Sequence, residues 1–136
     1  MPSYRIGQAA DLLGVSVDTV RRWVDNGRLA SDRTEAGHRV IDGVALAAFA
    51  VELAADRPDV ADQVVIGRSA RNRMAGIVTR VVKDKVSAQV EIQAGPHRLV
   101  SLLTREAVDE LGLEPGVLAV ATVKATNVGV EIASGA

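Results

Sequence analysis

The sequence has no cysteine among its 136 residues, so disulfides, thiolate metal sites and cysteine nucleophiles are excluded. Aromatic residues account for only 2% of it, although hydrophobic residues account for 48%. Any core must therefore be built from valine, isoleucine, leucine and alanine. A small unit packed in this way buries modest area, so it gains stability from association with another subunit.

The two signs of charge nearly balance, with 16 lysines and arginines, 17 acidic residues and a formal net charge of −1. A nucleic-acid-binding surface would therefore have to come from local clustering of arginine. The sequence has no run of eighteen apolar residues and no apolar stretch of a signal peptide at its start, so we expect a soluble cytoplasmic protein without membrane association. It also lacks a histidine cluster, a glycine-rich phosphate loop followed by lysine, and paired acids in an apolar setting. These absences argue against an enzyme.

The first part of the chain has the pattern of short helices around a hairpin. Gly14 ends the first run of apolar residues at helical spacing, and Ser16 is placed to cap the next helix. Pro58 limits the third helix at its carboxyl end. We predict helices over 6–13 and 17–26, two extended pieces around a turn at 34–37, and a third helix that begins after Asp42.

Four motifs follow one another in the order of a helix-turn-helix protein with a wing: Ile6-Gly7-Gln8-Ala9-Ala10, Gly14-Val15-Ser16, Thr19-Val20-Arg21-Arg22-Trp23 and Gly37-His38-Arg39. With these motifs, residues 4–49 resemble the MerR and excisionase-like superfamily. The resemblance implies a small winged helix-turn-helix domain over 1–55 that binds double-stranded DNA.

In such a fold, side chains outside the buried stripe of the second helix meet the major groove or its phosphates, and wing residues contact the backbone or minor groove. The predicted DNA-binding set is Ser16, Asp18, Thr19, Arg21, Arg22, Arg33, His38 and Arg39. The alternative is that Arg21 and Arg22 form an ordinary solvated helix face. His38 is expected to be a polar wing residue rather than a metal ligand, since the chain has only two histidines.

The second half of the chain is rich in valine and alternates as strands do. Strands are predicted over 75–83, 86–93, 98–103, 117–124 and 128–132. Thr104 is placed to cap a short helix that Gly112 ends. Five short strands with one helix between the third and fourth indicate a small Greek-key barrel of the OB type. The expected fold class is therefore α+β, with a linker over 56–67 between the two parts.

Two quartets, Ser69-Ala70-Arg71-Asn72 and Lys124-Ala125-Thr126-Asn127, stand at the two ends of this valine-rich segment. Each combines a hydroxyl, a cation and a small residue that leaves backbone N–H groups accessible. A tetrahedral dianion needs such donors around every oxygen, together with a partner for its charge. Thr104 adds a hydroxyl at the start of a helix, where free N–H groups favour an anion. The alternative is that the cations are surface charges and the asparagines ordinary turn residues.

With these quartets, residues 69–132 resemble the Mop family of molybdate-binding domains, also called molbindin or TOBE. The resemblance implies a Mop/TOBE domain over 68–134 that binds molybdate or tungstate between subunits, and hence at least a dimer. It also implies no organic cofactor and no direct protein–metal ligand. The oxyanion-binding set that it implies is Ser69, Ala70, Arg71, Thr104, Lys124, Ala125 and Thr126. Family members often have a hydroxyl residue where this chain has Ala107, so the resemblance implies one donor fewer at the site.

Two functions are compatible with these patterns. The first is a transcriptional regulator whose DNA binding responds to molybdate or tungstate. The second is an intracellular molybdate storage protein whose helical module mediates assembly. The basic residues predicted on the wing favour the regulator, because a storage protein has no use for them.

Overall fold

The computed structural model describes residues 2–56 and 69–133, and the chain folds as two compact α+β units, Met1–Pro58 and Asp59–Ala136. The predicted linker, apart from Asp56, lies outside the described residues, as do positions 68 and 134 at the predicted ends of the second domain. None of the helices in the two described ranges is long and apolar enough to cross a membrane.

The first unit contains three helices and a small antiparallel sheet. Its elements are β1 (Ser3–Arg5), α1 (Ile6–Leu13), α2 (Val17–Asp25), β2 (Asp32–Arg33), β3 (Arg39–Asp42) and α3 (Gly43–Ala55). Strand β3 lies in the centre of the sheet and pairs with both β1 and β2. Strands β2 and β3 with the turn between them, residues 32–42, are hereafter called the hairpin.

Three of the helix ends lie where the sequence predicts them. Gly14 has a φ of 69°, a left-handed conformation that glycine adopts without strain, and it ends α1. The Ser16 hydroxyl accepts the Thr19 N–H at 3.2 Å and caps α2. The Asp42 carboxylate accepts the Ala45 N–H at 3.1 Å and caps α3. These predictions are confirmed, and α2 ends one residue earlier than expected.

The core of the first unit contains the few large aromatic residues of the chain. Trp23 and Phe49 meet edge to face with ring centroids 5.1 Å apart. The Arg28 guanidinium lies 5.6 Å from the Trp23 ring and 5.4 Å from the Phe49 ring, and it also forms an ion pair with Asp56 at 3.8 Å. This arginine therefore covers the aromatic pair while its charge remains solvated.

The second unit is a curled antiparallel sheet that forms a half-barrel, with one helix. Its elements are β4 (Asn72–Lys83), β5 (Ser87–Ala94), β6 (His97–Thr104), α4 (Arg105–Leu111), β7 (Leu118–Val123) and a 3₁₀ turn (Ala125–Asn127). The strand order is β6-β5-β4-β7. Val78, Val90 and Val108 are fully buried at its centre, which is the aliphatic core expected of so few aromatics.

Gly76 marks a close approach of β4 to β5. A Cβ atom at this position would lie 2.5 Å from the Gln93 carbonyl oxygen and 2.7 Å from Ile92 Cγ2, closer than real Cβ atoms come. The pairing of β4 with β5 then shifts register between Val78 and Arg80. This register shift, a β-bulge, and the absence of a side chain at Gly76 together let the long strand bend around the core.

The prediction of a fifth strand over 128–132 was wrong. In the described part of the second unit the sheet has four strands, and residues 128–132 have no regular secondary structure. Val130 is 88% exposed and Ile132 is 94% exposed. Alternation of apolar residues is a property of the segment, whereas a strand also needs a neighbouring edge to bond its backbone groups.

A tight turn joins β4 to β5 and depends on Asp84. Its carboxylate accepts N–H bonds from Ser87 at 2.7 Å and from Val86 at 2.8 Å. These bonds hold the pKa of Asp84 below its ordinary value because they stabilise the ionised form, and the bond from Ser87 contributes most.

Candidate oxyanion site and nucleic-acid interface

The antiparallel pairing of β4 with β7 brings the two quartets together. Asn72 lies opposite Val123 in the register of these strands, although the two are 51 positions apart in sequence. The Asn72 side chain donates to the Val123 carbonyl at 3.0 Å, so it bonds the neighbouring strand rather than a local turn. The segments 69–72 and 124–127 therefore adjoin at one end of the sheet.

An open cavity of about 520 Å³ lies at this junction. It is called the quartet cavity here, and it is lined by Arg71, Asn72, Arg73, Met74, Val123, Asn127 and Val128. Two cations and no carboxylate are among these residues. Ser69 is exposed and Ala70 is half-buried, directly before the lining arginine. Met74 and Val123 were not predicted for the site, and only their strand register places them there.

The 3₁₀ turn supplies backbone donors next to the quartet cavity. Its bonds run from the Asn127 N–H to the Lys124 carbonyl at 2.9 Å and from the Val128 N–H to the Ala125 carbonyl at 3.3 Å. The N–H groups of Ala125 and Thr126 have no acceptor within residues 2–56 and 69–133. The first N–H groups of any helical turn lack internal partners, so these two remain available to a ligand. The side chains of Lys124 and Thr126 are exposed beside them.

Thr104 is the one member of the predicted oxyanion set that the fold of this chain places elsewhere. It pairs with Ser87, at the end of the sheet opposite Asn72, and its hydroxyl accepts the Ala107 N–H at 3.1 Å as the cap of α4. The twelve residues of β4 separate these two ends by roughly 35 Å of strand. Within one chain, Thr104 therefore lies at the other end of the sheet from the quartets.

A basic cleft of about 400 Å³ lies in the first unit. It is called the arginine cleft here, and it is lined by Arg5, Ile6, Arg21, Arg33, Gly37, His38 and Arg39. Helix α2 contributes Arg21, the hairpin contributes two arginines and the histidine, and Arg5 stands directly before α1. Arg5 was not predicted for the site, because nothing in the helical pattern distinguishes it. The chain is nearly neutral overall, so this is the local clustering that nucleic-acid binding requires.

The predicted DNA-binding residues differ in how firmly the protein holds them. Arg21 is 3.8 Å from Asp18, and both side chains are largely exposed. Arg22 is also exposed, with no ion pair among the residues that the structure describes.

Four other members of this set are held by closer hydrogen bonds. Arg39 Nη1 donates to Asp25 Oδ1 at 2.8 Å, and Arg33 Nη1 donates to the Gly37 carbonyl at 2.8 Å. The hydroxyl groups of Ser16 and Thr19 bond each other at 2.8 Å at the start of α2.

Comparison with known families divides the chain in the same two parts. Residues 5–41 match the MerR family of regulatory proteins, and residues 68–130 match the TOBE domain. Molybdenum-pterin-binding protein 2 of Clostridium pasteurianum is 38% identical over 61 residues, which are 44% of this chain and 90% of that protein.

Solved structures with similarity to the second half were also found. A molybdate-binding protein from Sporomusa ovata has 33% sequence identity and a TM-score of 0.48, over 49% of this chain and 100% of that one. The cytoplasmic molybdate-binding protein ModG, solved with molybdate bound, has 37% identity and a TM-score of 0.42, over 49% of this chain and 46% of that one.

Proposed function

Because the chain belongs to the TOBE-domain family that includes the molybdenum-pterin-binding proteins, and carries a MerR-family region ahead of that domain, we propose that it is a DNA-binding transcriptional regulator responsive to molybdate or tungstate. In this proposal residues 1–55 are a winged helix-turn-helix domain, 56–67 a linker and 68–134 the oxyanion-binding domain. Both families are families of regulatory and binding proteins, not of enzymes. The observation that carries the proposal is the convergence of the two quartets at one cavity.

The chemistry of the quartet cavity suits a dianion that has no proton to donate. Arg71 provides positive charge in the wall, Lys124 provides it beside the wall, and the free N–H groups of Ala125 and Thr126 provide neutral donors. Charge-assisted bonds of this kind are the strong ones in proteins. The described residues that line the cavity include no carboxylate, so an anion that must donate its own proton finds no strong acceptor among them.

The position of Thr104 supports a site shared between subunits. Within one chain it lies at the opposite end of the sheet from the quartets, so we propose that a second chain supplies it to their site. Apolar side chains on the outer face of the second unit, among them Val100 and Leu102, are also exposed and available for burial. Residues 129–132 add backbone groups with no hydrogen bond to the described residues, and Val130 and Ile132 are highly exposed. We therefore propose a homo-oligomer, at least a dimer.

The arginine cleft is the proposed surface for the DNA backbone. In a helix-turn-helix protein the second helix enters the major groove and flanking elements contact phosphates. Here α2 presents Arg21 and Arg22 outward, and Arg33 and His38 face the same cleft from the hairpin. Most such contacts give affinity without sequence information.

Calorimetric titration of the purified protein tests the ligand. We expect molybdate and tungstate to bind at least about 100-fold more tightly than sulfate or hydrogen phosphate. Sulfate is too small to fill a cavity built for molybdate, and hydrogen phosphate has a proton that the donor-rich wall cannot accept. Equal affinities for sulfate and molybdate at neutral pH would contradict the proposed ligand.

Replacing Arg21 and Arg22 together with alanine tests the DNA interface. We expect the salt-dependent binding of a duplex selected from a random-sequence library to fall at least about tenfold, because two phosphate-neutralising charges are lost. The affinity for molybdate should not change, since both residues belong to the first unit. Fluorescence anisotropy and calorimetry measure the two quantities.

The double variant Arg80→Ala/Lys85→Ala is the matched control, because it removes the same charge from the second unit. It should bind DNA like the wild type. If the wild-type protein shows no salt-dependent binding to any selected duplex, the regulator is ruled out and the storage function takes its place.

A further inference from the structure

One ion pair joins the carboxyl end of α2 to the hairpin. Arg39 Nη1 donates to Asp25 Oδ1 at 2.8 Å, between residues 14 positions apart. The Arg39 side chain is only 33% exposed, whereas that of Asp25 is 62% exposed. Among the described residues this is the one side-chain hydrogen bond between α2 and the hairpin.

The hairpin contains an unfavourable pair of arginines, and this pair makes the contact between Asp25 and Arg39 important. Arg33 and Arg39 are direct partners in the register of β2 and β3. Like charges placed opposite each other destabilise a strand pair. Each arginine has a separate acceptor, Gly37 for Arg33 and Asp25 for Arg39, and only the second of these carries a negative charge. Asp25 therefore offsets the repulsion within the hairpin as well as tying it to α2.

The tip of the hairpin is ordered by its own hydrogen bonds. The Thr34 N–H donates to the His38 carbonyl at 2.8 Å, and the Gly37 N–H donates to the Thr34 carbonyl at 2.8 Å. At its other end β3 is anchored by Ile41, which is fully buried. A tip that is ordered internally moves as one body, so a tie close to the tip fixes its direction relative to α2.

We propose that Asp25 and Arg39 form a positioning clamp that sets the angle between the hairpin and α2. The clamp keeps Arg33 and His38 on the same cleft as Arg21. Arg39 then acts on DNA through the hairpin and does not neutralise a phosphate itself. The part of this proposal that concerns DNA rests on the proposed function.

Whether Asp25→Asn weakens or tightens DNA binding distinguishes the clamp from a direct contact of Arg39 with a phosphate. If Arg39 bound a phosphate, Asp25→Asn would free it and remove a negative charge near DNA, so binding would stay equal or tighten. The clamp predicts the reverse, a loss of affinity of roughly threefold to tenfold, the range of a partly exposed ion pair with some added strain. Asp11→Asn is the matched control, because it removes the same charge from α1 without breaking an ion pair among the described residues.

Two further variants complete the test on the selected duplex. Arg39→Gln should weaken DNA binding to a degree similar to Asp25→Asn and leave its salt dependence unchanged. The double variant Asp25→Asn/Arg39→Gln should bind DNA no more weakly than either single variant, because both substitutions break the same contact. A salt slope reduced by about 0.9, the value of one phosphate contact, would overturn the clamp. Equal or tighter binding by Asp25→Asn would overturn it as well.

Amide hydrogen exchange tests the clamp without DNA. In Asp25→Asn the N–H groups of Thr34 and Gly37 should exchange at least about threefold faster, while core amides of the first unit such as that of Ile41 keep their protection. Unchanged exchange at the hairpin would overturn the clamp even in a protein that binds DNA. If the wild type binds no duplex, the proposed function fails and this exchange measurement alone decides whether the clamp exists.

Discussion

Replacing Gly76 with alanine is expected to destabilise the second unit by about 3 kcal/mol, the upper end of the usual cost of overpacking. The added Cβ would lie 2.5 Å from the Gln93 carbonyl oxygen, a backbone atom that cannot move without disturbing the pairing of β4 with β5. The nearby Ile92 side chain, at 2.7 Å, would also have to shift. Urea unfolding followed by far-ultraviolet circular dichroism measures this loss.

Gly129→Ala is the matched control for this substitution. A Cβ at Gly129 would meet nothing within 4 Å, and its backbone does not have the positive φ that would strain alanine. The control should unfold at the same urea concentration as the wild type. Equal stability of the Gly76→Ala variant would mean that β4 and β5 do not approach as closely as the structure places them.

Replacing Lys124 with alanine is expected to weaken molybdate binding by about 1.5–3 kcal/mol, or ten- to hundredfold, because a charge-assisted hydrogen bond is lost. Lys124 directly precedes the two free N–H groups of the 3₁₀ turn. Its side chain is exposed, so its removal should not affect folding. Calorimetry on the folded variant measures the change.

Lys85→Ala is the matched control, because it removes the same charge from the exposed turn between β4 and β5. It should bind molybdate with wild-type affinity. If Lys124→Ala also keeps that affinity, the anion lies elsewhere. An Arg71→Ala variant then shows whether the quartet cavity takes part in binding at all.

The local features of the fold could be predicted from the sequence. Gly14, Ser16 and Asp42 end or cap helices through bonds to residues only a few positions away, so their types and spacing were sufficient. Thr104 and Gly112 delimit α4 for the same reason. These elements depend on short-range hydrogen bonds and on backbone conformation, which the sequence states directly.

The features that were missed depend on pairing between distant segments. Residues 128–132 have the apolar alternation of a strand, but alternation does not say whether an edge of the same chain is free to receive it. The separation of Thr104 from the quartets follows from the register of β5 and β6, which no local pattern specifies. The contact of Asp25 with Arg39 likewise needs the hairpin to fold back on α2.

The edge-to-face pair of Trp23 and Phe49 also makes the protein its own spectroscopic probe. Tyr4, Trp23 and Phe49 are the only aromatic residues of the chain, and all three precede position 50. Tryptophan emission therefore follows the first unit, whereas the second unit contains no tryptophan. A shift in emission when molybdate is added would thus be a signal that has travelled from one unit to the other, and it can be recorded on the unlabelled wild-type chain without DNA.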